Sequence, residues 1–64
     1  MSTKITMKAA RVNAGLTLKE ASQKIGVTLQ TLACWESGKT SPTIKKAFKL
    51  CEVYDININD LFLQ

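Results

Sequence analysis

The sequence predicts an all-α fold, with one domain over residues 1–64 built from about five short helices. The chain has 64 residues, of which 45% are hydrophobic and 22% are charged, and this length is enough for one domain only. Apolar residues recur at the i, i+3, i+4 spacing of a helix, and no segment shows the alternation of a strand. Residues suited to starting or ending a helix separate these segments.

The first predicted helix runs from about Met7 to Ala14. Thr6 can cap its N-terminus through the side-chain oxygen. Gly15 can end it, because glycine adopts the left-handed backbone conformation without a clash. Residues 1–5 are then expected to form an extended N-terminal arm.

The second predicted helix begins after Thr17 and ends at Gly26. In the segment TLKE, the Thr17 hydroxyl can accept from the third helical N–H while Glu20 reaches back to the Thr17 N–H, which makes a capping box. The inward face holds residues at helical spacing: Leu18, Ala21, Ser22 and Ile25.

The third predicted helix lies in the segment TLQTLACWESGKT, with Thr28 as its cap and Gly38 at its end. Leu32 and Trp35 are three residues apart and face the core. The flanks and the outer face hold small or slender side chains: Leu29, Gln30, Ala33, Cys34 and Ser37. We therefore expect that another molecule can approach this helix closely.

Two further helices complete the predicted fold. Ser41 can cap the fourth, with Pro42 at the first helical position, where its missing N–H is no loss. One face of this helix is lined by Ile44, Ala47, Phe48 and Cys51. Asn57 can cap a fifth helix, whose shared face holds Ile58, Leu61 and Phe62.

The net charge of +4 is distributed unevenly along the chain. Residues 1–49 hold nine Lys and Arg against two Glu, a balance of +7, whereas residues 50–64 hold three acidic residues and no basic one, a balance of −3. The basic part is where a polyanion would bind. Charge alone leaves open that these lysines only keep the domain soluble.

The composition argues against catalysis and metal binding. The chain has no histidine, and Cys34 and Cys51 supply neither a zinc site nor a disulfide framework. No nucleophile has a base beside it, no glycine-rich phosphate loop is present, and no run of about 18 apolar residues or signal peptide occurs. We expect a cytoplasmic protein that is not an enzyme, with no membrane association, cofactor, metal or small-molecule ligand.

The segment TLKEASQKIGVTLQTLACWE joins the second and third helices by a turn, IGVT, that is too tight for them to run antiparallel. They must cross steeply, which is typical of a helix-turn-helix motif, here over residues 17–37. Such a crossing needs a small residue where the backbones approach, supplied by Ser22, and a residue free to take positive φ, supplied by Gly26. The apolar residues that lock the two helices together are Ile25, Val27, Leu32 and Trp35.

From about Met7 to Phe62, the chain resembles the Cro/cI-type helix-turn-helix family, which includes small phage repressors and Cro proteins. The resemblance rests on Arg11, Gly15-Leu16-Thr17, Ile25-Gly26-Val27-Thr28, Trp35-Glu36-Ser37-Gly38-Lys39, Pro42 and Ile56-Asn57-Ile58 with Leu61-Phe62. It implies a compact five-helix, lambda-repressor-like domain that binds double-stranded operator DNA with its third helix in the major groove.

The resemblance also implies which residues contact DNA. The base-reading positions are Leu29, Gln30, Ala33 and Cys34. Gln30 is the member of this set that can make a bidentate pair with adenine. The phosphate-binding positions are Thr17, Leu18, Lys39, Thr40 and Ser41. Leu18 stands where many family members have a glutamine, so this helix start offers a phosphate its backbone N–H groups.

Other interpretations of these residues remain open. Gln30 can be an ordinary solvated residue, and Lys39 with its two neighbours can serve the turn as well as a phosphate. Arg11 and Glu36 align with a buried ion pair that joins the first and third helices in the family, which is a structural role.

Two functions compete at this point. The first is a sequence-specific transcriptional regulator, a repressor of phage, prophage or plasmid origin. It binds DNA as a weak homodimer, because one small domain makes too few contacts for useful specificity. The second is a protein-interaction module, antitoxin-like or adaptor-like, that uses the apolar end Leu61, Phe62 and Leu63.

Overall fold

The computed structural model describes residues 4–62, which form a small, mostly helical domain. Four α-helices make up most of it, namely α1 (Met7–Asn13), α2 (Leu18–Ile25), α3 (Leu29–Ser37) and α4 (Ile44–Tyr54). The remaining elements are β1 (Ile5–Thr6), a 3-10 turn (Ile58–Asp60) and β2 (Leu61–Phe62). In the described range, no helix is both long enough and apolar enough to cross a membrane.

A threonine caps the start of each of the four helices. The hydroxyls of Thr6, Thr17 and Thr28 each accept from the third helical N–H at 3.1 Å. The capping box at Thr17 is complete, because its N–H also donates to the Glu20 carboxylate at 2.9 Å. The predicted starts of the first three helices are therefore confirmed.

The predicted start of the fourth helix was wrong, and its predicted inward face is confirmed only at Ala47 and Cys51. Thr43, rather than Ser41, is the cap, and its hydroxyl accepts from the Lys46 N–H at 3.3 Å. Pro42 therefore precedes the helix. The face that packs inward holds Ala47, Leu50, Cys51 and Tyr54. Ile44 and Phe48, which were predicted to face the core, are 66% and 54% exposed.

The fifth predicted helix is absent from the described residues. Asn57 does cap the segment, accepting from the Asn59 N–H at 2.9 Å, but only the 3-10 turn follows. The chain then straightens, and β2 pairs in parallel with β1, Ile5 opposite Leu61 and Thr6 opposite Phe62. The end of the predicted arm is thus a strand, and the domain is helical apart from this two-residue ladder.

The core lies where all four helices meet. Leu32 of α3 and Leu50 of α4 are its largest fully buried side chains. The other buried apolar members are Met7, Ala10, Ala21, Ile25, Trp35, Ala47, Cys51, Tyr54 and Leu61. Because α2 packs against both α3 and α4, it holds α3 in a fixed position with one side left outward.

Candidate nucleic-acid interface

The turn between α2 and α3 depends on Gly26. This residue has φ 90° and ψ 31°, a left-handed conformation in which a side chain is strained. Its N–H and that of Val27 both donate to the Ser22 carbonyl, at 2.9 and 3.0 Å. The end of α2 is therefore closed within the turn, and Thr28 can start α3 two residues later.

Ser22 provides the small residue on the inner side of α2. It is 3% exposed, and its hydroxyl donates to the Lys19 carbonyl at 2.8 Å, which satisfies a polar group that would be costly to bury unpaired. Ile25 and Leu32, on the two sides of the turn, are both buried in the core. These contacts fix α3 relative to α2.

The outer side of α3 holds the predicted base-reading residues. Leu29 is 46% exposed and Gln30 is exposed, while Ala33 and Cys34 are half-buried. These four residues lie at helical spacing along one strip, opposite buried Leu32 and Trp35. The strip carries no charge, so it offers apolar contact and one amide.

The loop after α3 is tied back to this strip. The Cys34 carbonyl accepts from the N–H groups of Lys39 at 3.0 Å and Thr40 at 3.4 Å, and from the Ser37 hydroxyl at 3.1 Å. Gly38 makes this return possible with φ 84°. Lys39 and Thr40 are exposed, and their backbone lies at the C-terminal end of the predicted base-reading strip.

Ser41 follows in the same loop and is also exposed. It belongs to the predicted phosphate-binding set, together with Lys39 and Thr40. The loop leads directly to Thr43 at the start of α4, where Lys45 is exposed and Lys46 is half-buried. The sequence prediction began this helix two residues early, at Ser41.

The start of α2 holds the other predicted phosphate positions, Thr17 and Leu18. The Thr17 hydroxyl accepts a capping bond, which leaves its hydrogen to donate to an incoming oxygen. The N–H groups of Leu18 and Lys19 lie in the first turn, where an α-helix supplies no intrahelical acceptor. A phosphate oxygen can be bound here by backbone groups.

Glu20 opposes an anion at the same helix start. The hydrogen bond from the Thr17 N–H lowers the pKa of its carboxyl, with the Thr17 hydroxyl and Lys24 acting in the same direction against desolvation. The group therefore carries a full negative charge at neutral pH beside the predicted phosphate position. The segment TLKE already implies this negative charge at the start of α2, but only the role of Glu20 in capping was predicted from the sequence.

Arg11 and Glu36 form an ion pair between α1 and α3. Arg11 Nε donates to Glu36 Oε2 at 2.8 Å, and Nη2 donates to Oε1 at 3.4 Å. Nη1 donates to the Leu16 carbonyl at 2.9 Å, which adds the loop before α2 to the network. The two side chains are only 12% and 9% exposed. The charged groups of Arg11 and Glu36 are therefore mostly buried, and the ion pair holds α3 against α1.

Tyr54 of α4 lies near this pair. Burial raises the pKa of its phenol to about 12, and the charge of Glu36 adds to the rise while that of Arg11 opposes it. The hydroxyl has no hydrogen-bond partner among residues 4–62. An unpaired polar atom is thus buried in the core beside the ion pair.

Within the described range, no cluster of three or more cysteine and acidic residues is arranged to hold a metal ion. Cys34 and Cys51 are free thiols, and burial raises the pKa of Cys51. Cys51 therefore acts as a small core residue. The residues predicted to bind DNA lie on α3, on the loop that follows it and at the start of α2.

Comparison with known proteins gives consistent matches. Residues 7–61 match the family described as Helix-turn-helix. An uncharacterized HTH-type transcriptional regulator of Archaeoglobus fulgidus is 36% identical over 53 residues, which cover 83% of this chain and 76% of that protein.

Two other relatives carry the same description. The uncharacterized HTH-type transcriptional regulator MJ0272 of Methanocaldococcus jannaschii is 35% identical over 57 residues, covering 89% of this chain and 86% of that protein. The uncharacterized HTH-type transcriptional regulator YgzD of Bacillus subtilis is 30% identical over 56 residues, covering 88% and 85%. No solved structure matches the chain significantly.

Proposed function

This chain belongs to the Cro/cI-type helix-turn-helix family, and from that premise we propose that it is a sequence-specific, double-stranded DNA-binding transcriptional regulator. In this proposal α3 enters the major groove. The printed names of its relatives, all HTH-type transcriptional regulators, support the assignment. The domain acts by binding and not by catalysis.

The observation that carries the proposal is the pair of hydrogen bonds from the Lys39 and Thr40 N–H groups to the Cys34 carbonyl. They hold the backbone of Lys39 and Thr40, one basic and one hydroxyl residue, at the C-terminal end of an uncharged helix strip. This pairing suits a duplex, whose groove edge displays bases while its rim displays phosphates. The same bonds also close the C-terminus of α3 around Gly38.

Base reading falls on the four residues of the α3 strip. Gln30 can donate to N7 and accept from N6 of one adenine, while Leu29 and Ala33 can contact thymine methyl groups. Cys34 is half-buried and offers a small surface. A strip with one amide and no arginine favours an A·T-rich half-site, which is read mainly by shape and methyl contact.

Phosphate binding comes from two places on either side of the strip. Lys39, Thr40 and Ser41 form one, and the first-turn N–H groups at Leu18 together with the Thr17 hydroxyl form the other. The Glu20 carboxylate weakens the second. The lysine side should therefore supply most of the salt-dependent affinity.

The proposal also includes the regulatory effect of the protein and its assembly. We expect a repressor that binds as a weak homodimer, because one domain of this size offers few contacts. The origin in a phage, prophage or plasmid stays a prediction, and so does the cytoplasmic location.

The test is selection of bound sequences from a random DNA pool, followed by gel shifts at several salt concentrations. The proposal predicts an enriched A·T-rich motif in two inverted copies with centres about 34–36 Å apart. It also predicts that the logarithm of the association constant falls linearly with the logarithm of the salt concentration. Enrichment of no motif, with equal binding to all sequences, would remove the sequence-specific function.

The protein-interaction alternative is tested in the same preparation. Of its three residues, Leu61 is 3% exposed, Phe62 is 44% exposed, and Leu63 lies outside the described residues. Stoichiometric co-purification of another protein, with no gel shift on any DNA, would favour that alternative.

A further inference from the structure

Two large apolar side chains of α4 lie on the surface, next to each other. Ile44 and Phe48 are 66% and 54% exposed, and residues four apart on a helix are neighbours on one face. Neither belongs to the buried core cluster or to the partly buried apolar side chains packed against it. The DNA-binding proposal does not use them, so this apolar face of α4 needs an explanation.

One flank of the face carries Lys45, Lys49 and Glu52. Lys45 lies before Phe48, and Glu52 lies after it. On a helical wheel both are on the same flank of Phe48. The Glu52 side chain is 76% exposed, and its contact with Lys49 at 3.9 Å is a surface ion pair of little strength. The flank thus carries a lysine, Lys45, before Phe48 and a lysine with a carboxylate, Lys49 and Glu52, after it.

This arrangement is self-complementary in one orientation. Suppose that a second α4 packs antiparallel, with the two Phe48 rings at the twofold axis. Lys45 then lies about 4.5 Å from that axis along the helix, and Glu52 of the partner copy lies about 6 Å from it. Both are displaced in the same direction. Each lysine then meets a carboxylate of the other copy. A parallel arrangement would instead bring the two Lys45 residues level with each other.

We infer that the Ile44–Phe48 face is the self-association surface of this protein, formed by antiparallel packing of α4 against α4 of a second copy. The inference rests on the proposed function, which calls for two domains on one operator. It assigns the dimer contact to α4.

The size of the face sets the strength of the dimer. Stable interfaces bury about 800 Å² per partner, and two partly exposed side chains fall far below that area. The dimer is therefore expected to be weak in solution and to become substantial when two half-sites hold two copies together.

The test measures self-association of the full chain by sedimentation, and cooperativity between two half-sites by gel shift. Phe48→Ser should weaken dimerisation about tenfold or more, because in a symmetric dimer one substitution removes a Phe48 ring from each copy. Val12→Ser is the matched control, because Val12 is an apolar side chain 58% exposed on α1. Thermal melts establish that both variants fold.

Charge reversal tests the orientation. Lys45→Glu and Glu52→Lys should each weaken self-association when studied alone, whereas a mixture of the two variants should associate at least as well as the parent protein. The double variant should also recover. Antiparallel packing predicts this pattern because each single variant places like charges together and the mixture pairs opposite ones.

Two results would overturn the inference: a protein that neither self-associates nor fills half-sites cooperatively, or one in which Phe62→Ser abolishes association and Phe48→Ser does not. In either case, unchanged binding of an isolated half-site would leave the DNA-binding proposal intact. If the folded parent protein binds no half-site at all, the proposed function itself is refuted.

Discussion

Removal of the Arg11 guanidinium should destabilise the domain strongly without changing the surface proposed to bind DNA. Arg11→Ala deletes two hydrogen bonds to the Glu36 carboxylate and one to the Leu16 carbonyl. Glu36, 9% exposed in its side chain, would then be a buried charge without its partner. Breaking a buried pair in this way costs about 3–5 kcal/mol.

That cost is large for a chain of this length. At about 0.05–0.15 kcal/mol per residue, the free energy of unfolding of a domain of 64 residues is about 3–10 kcal/mol. One kcal/mol corresponds to about 4–8 °C in a small domain, so the midpoint should fall by at least about 12 °C. Circular dichroism melts of parent and variant in the same buffer measure it.

A second variant separates the loss of a charge partner from the loss of packing. Arg11→Met combined with Glu36→Leu removes both charges and keeps apolar volume, so it should recover much of the stability that Arg11→Ala loses. DNA affinity measured well below the melting midpoint should match the parent. A variant that melts normally yet fails to bind DNA would show that Arg11 contacts DNA, and the structural role would be refuted.

Four further variants test the interface and the core. Gln30→Ala should weaken the best site by about 1–3 kcal/mol and relax the preference at one base pair, with Gln23→Ala on α2 as control; equal losses on specific and random DNA would exclude base reading. Lys39→Ala should weaken all sequences alike and lower the salt slope by about one unit, unlike Lys24→Ala. Glu20→Gln keeps the capping box but removes a charge from the start of α2, so DNA affinity should rise about twofold to fivefold; no change would mean that no phosphate binds there. Because the pKa of Tyr54 is raised to about 12 in the folded state from an ordinary value of 10.0, its contribution to stability is constant below pH 10.0 and should fall by about 1.4 kcal/mol per pH unit up to pH 12. Tyr54→Phe should reduce the measured slope by that amount in chemical denaturation, and an unchanged slope would contradict the burial of the phenol.

Local chemistry made the first three helices predictable. A threonine cap, a capping box and a glycine in the left-handed conformation act within four residues, so Thr17, Glu20 and Gly26 could be assigned from neighbours alone. The position of the candidate interface follows from these boundaries. The family model over residues 7–61 confirms the resemblance on which the site residues were proposed.

The start of α4 was not predictable by the same reasoning. Ser41 and Thr43 are both good caps, and Pro42 is tolerated on either side of a helix start. The inward face was ambiguous as well, because Phe48 and Leu50 each complete an apolar series through Ala47 and Cys51. The packing of α2 against α4 decides between them, and that contact is not encoded in local spacing.

The C-terminal segment was misassigned for a different reason. Asn57 provides a real cap, and Ile58 with Leu61 has helical spacing, yet the chain leaves the helix after one 3-10 turn. The competing interaction is a ladder between Leu61 and Ile5, at the opposite end of the described chain. No window of neighbouring residues contains both partners.

The parallel direction of that ladder has a mechanical consequence. In parallel strands, the chain enters β1 at one end of the ladder and leaves β2 at the other, so tension applied to the two ends of the domain slides the strands along each other. Both residue pairs then carry the force together, whereas an antiparallel pair would peel open one bond at a time. Because β1 runs directly into α1, the same load reaches the helix that holds Arg11. Two strands of two residues each thus join the two ends of the described chain, and the four helices lie between them.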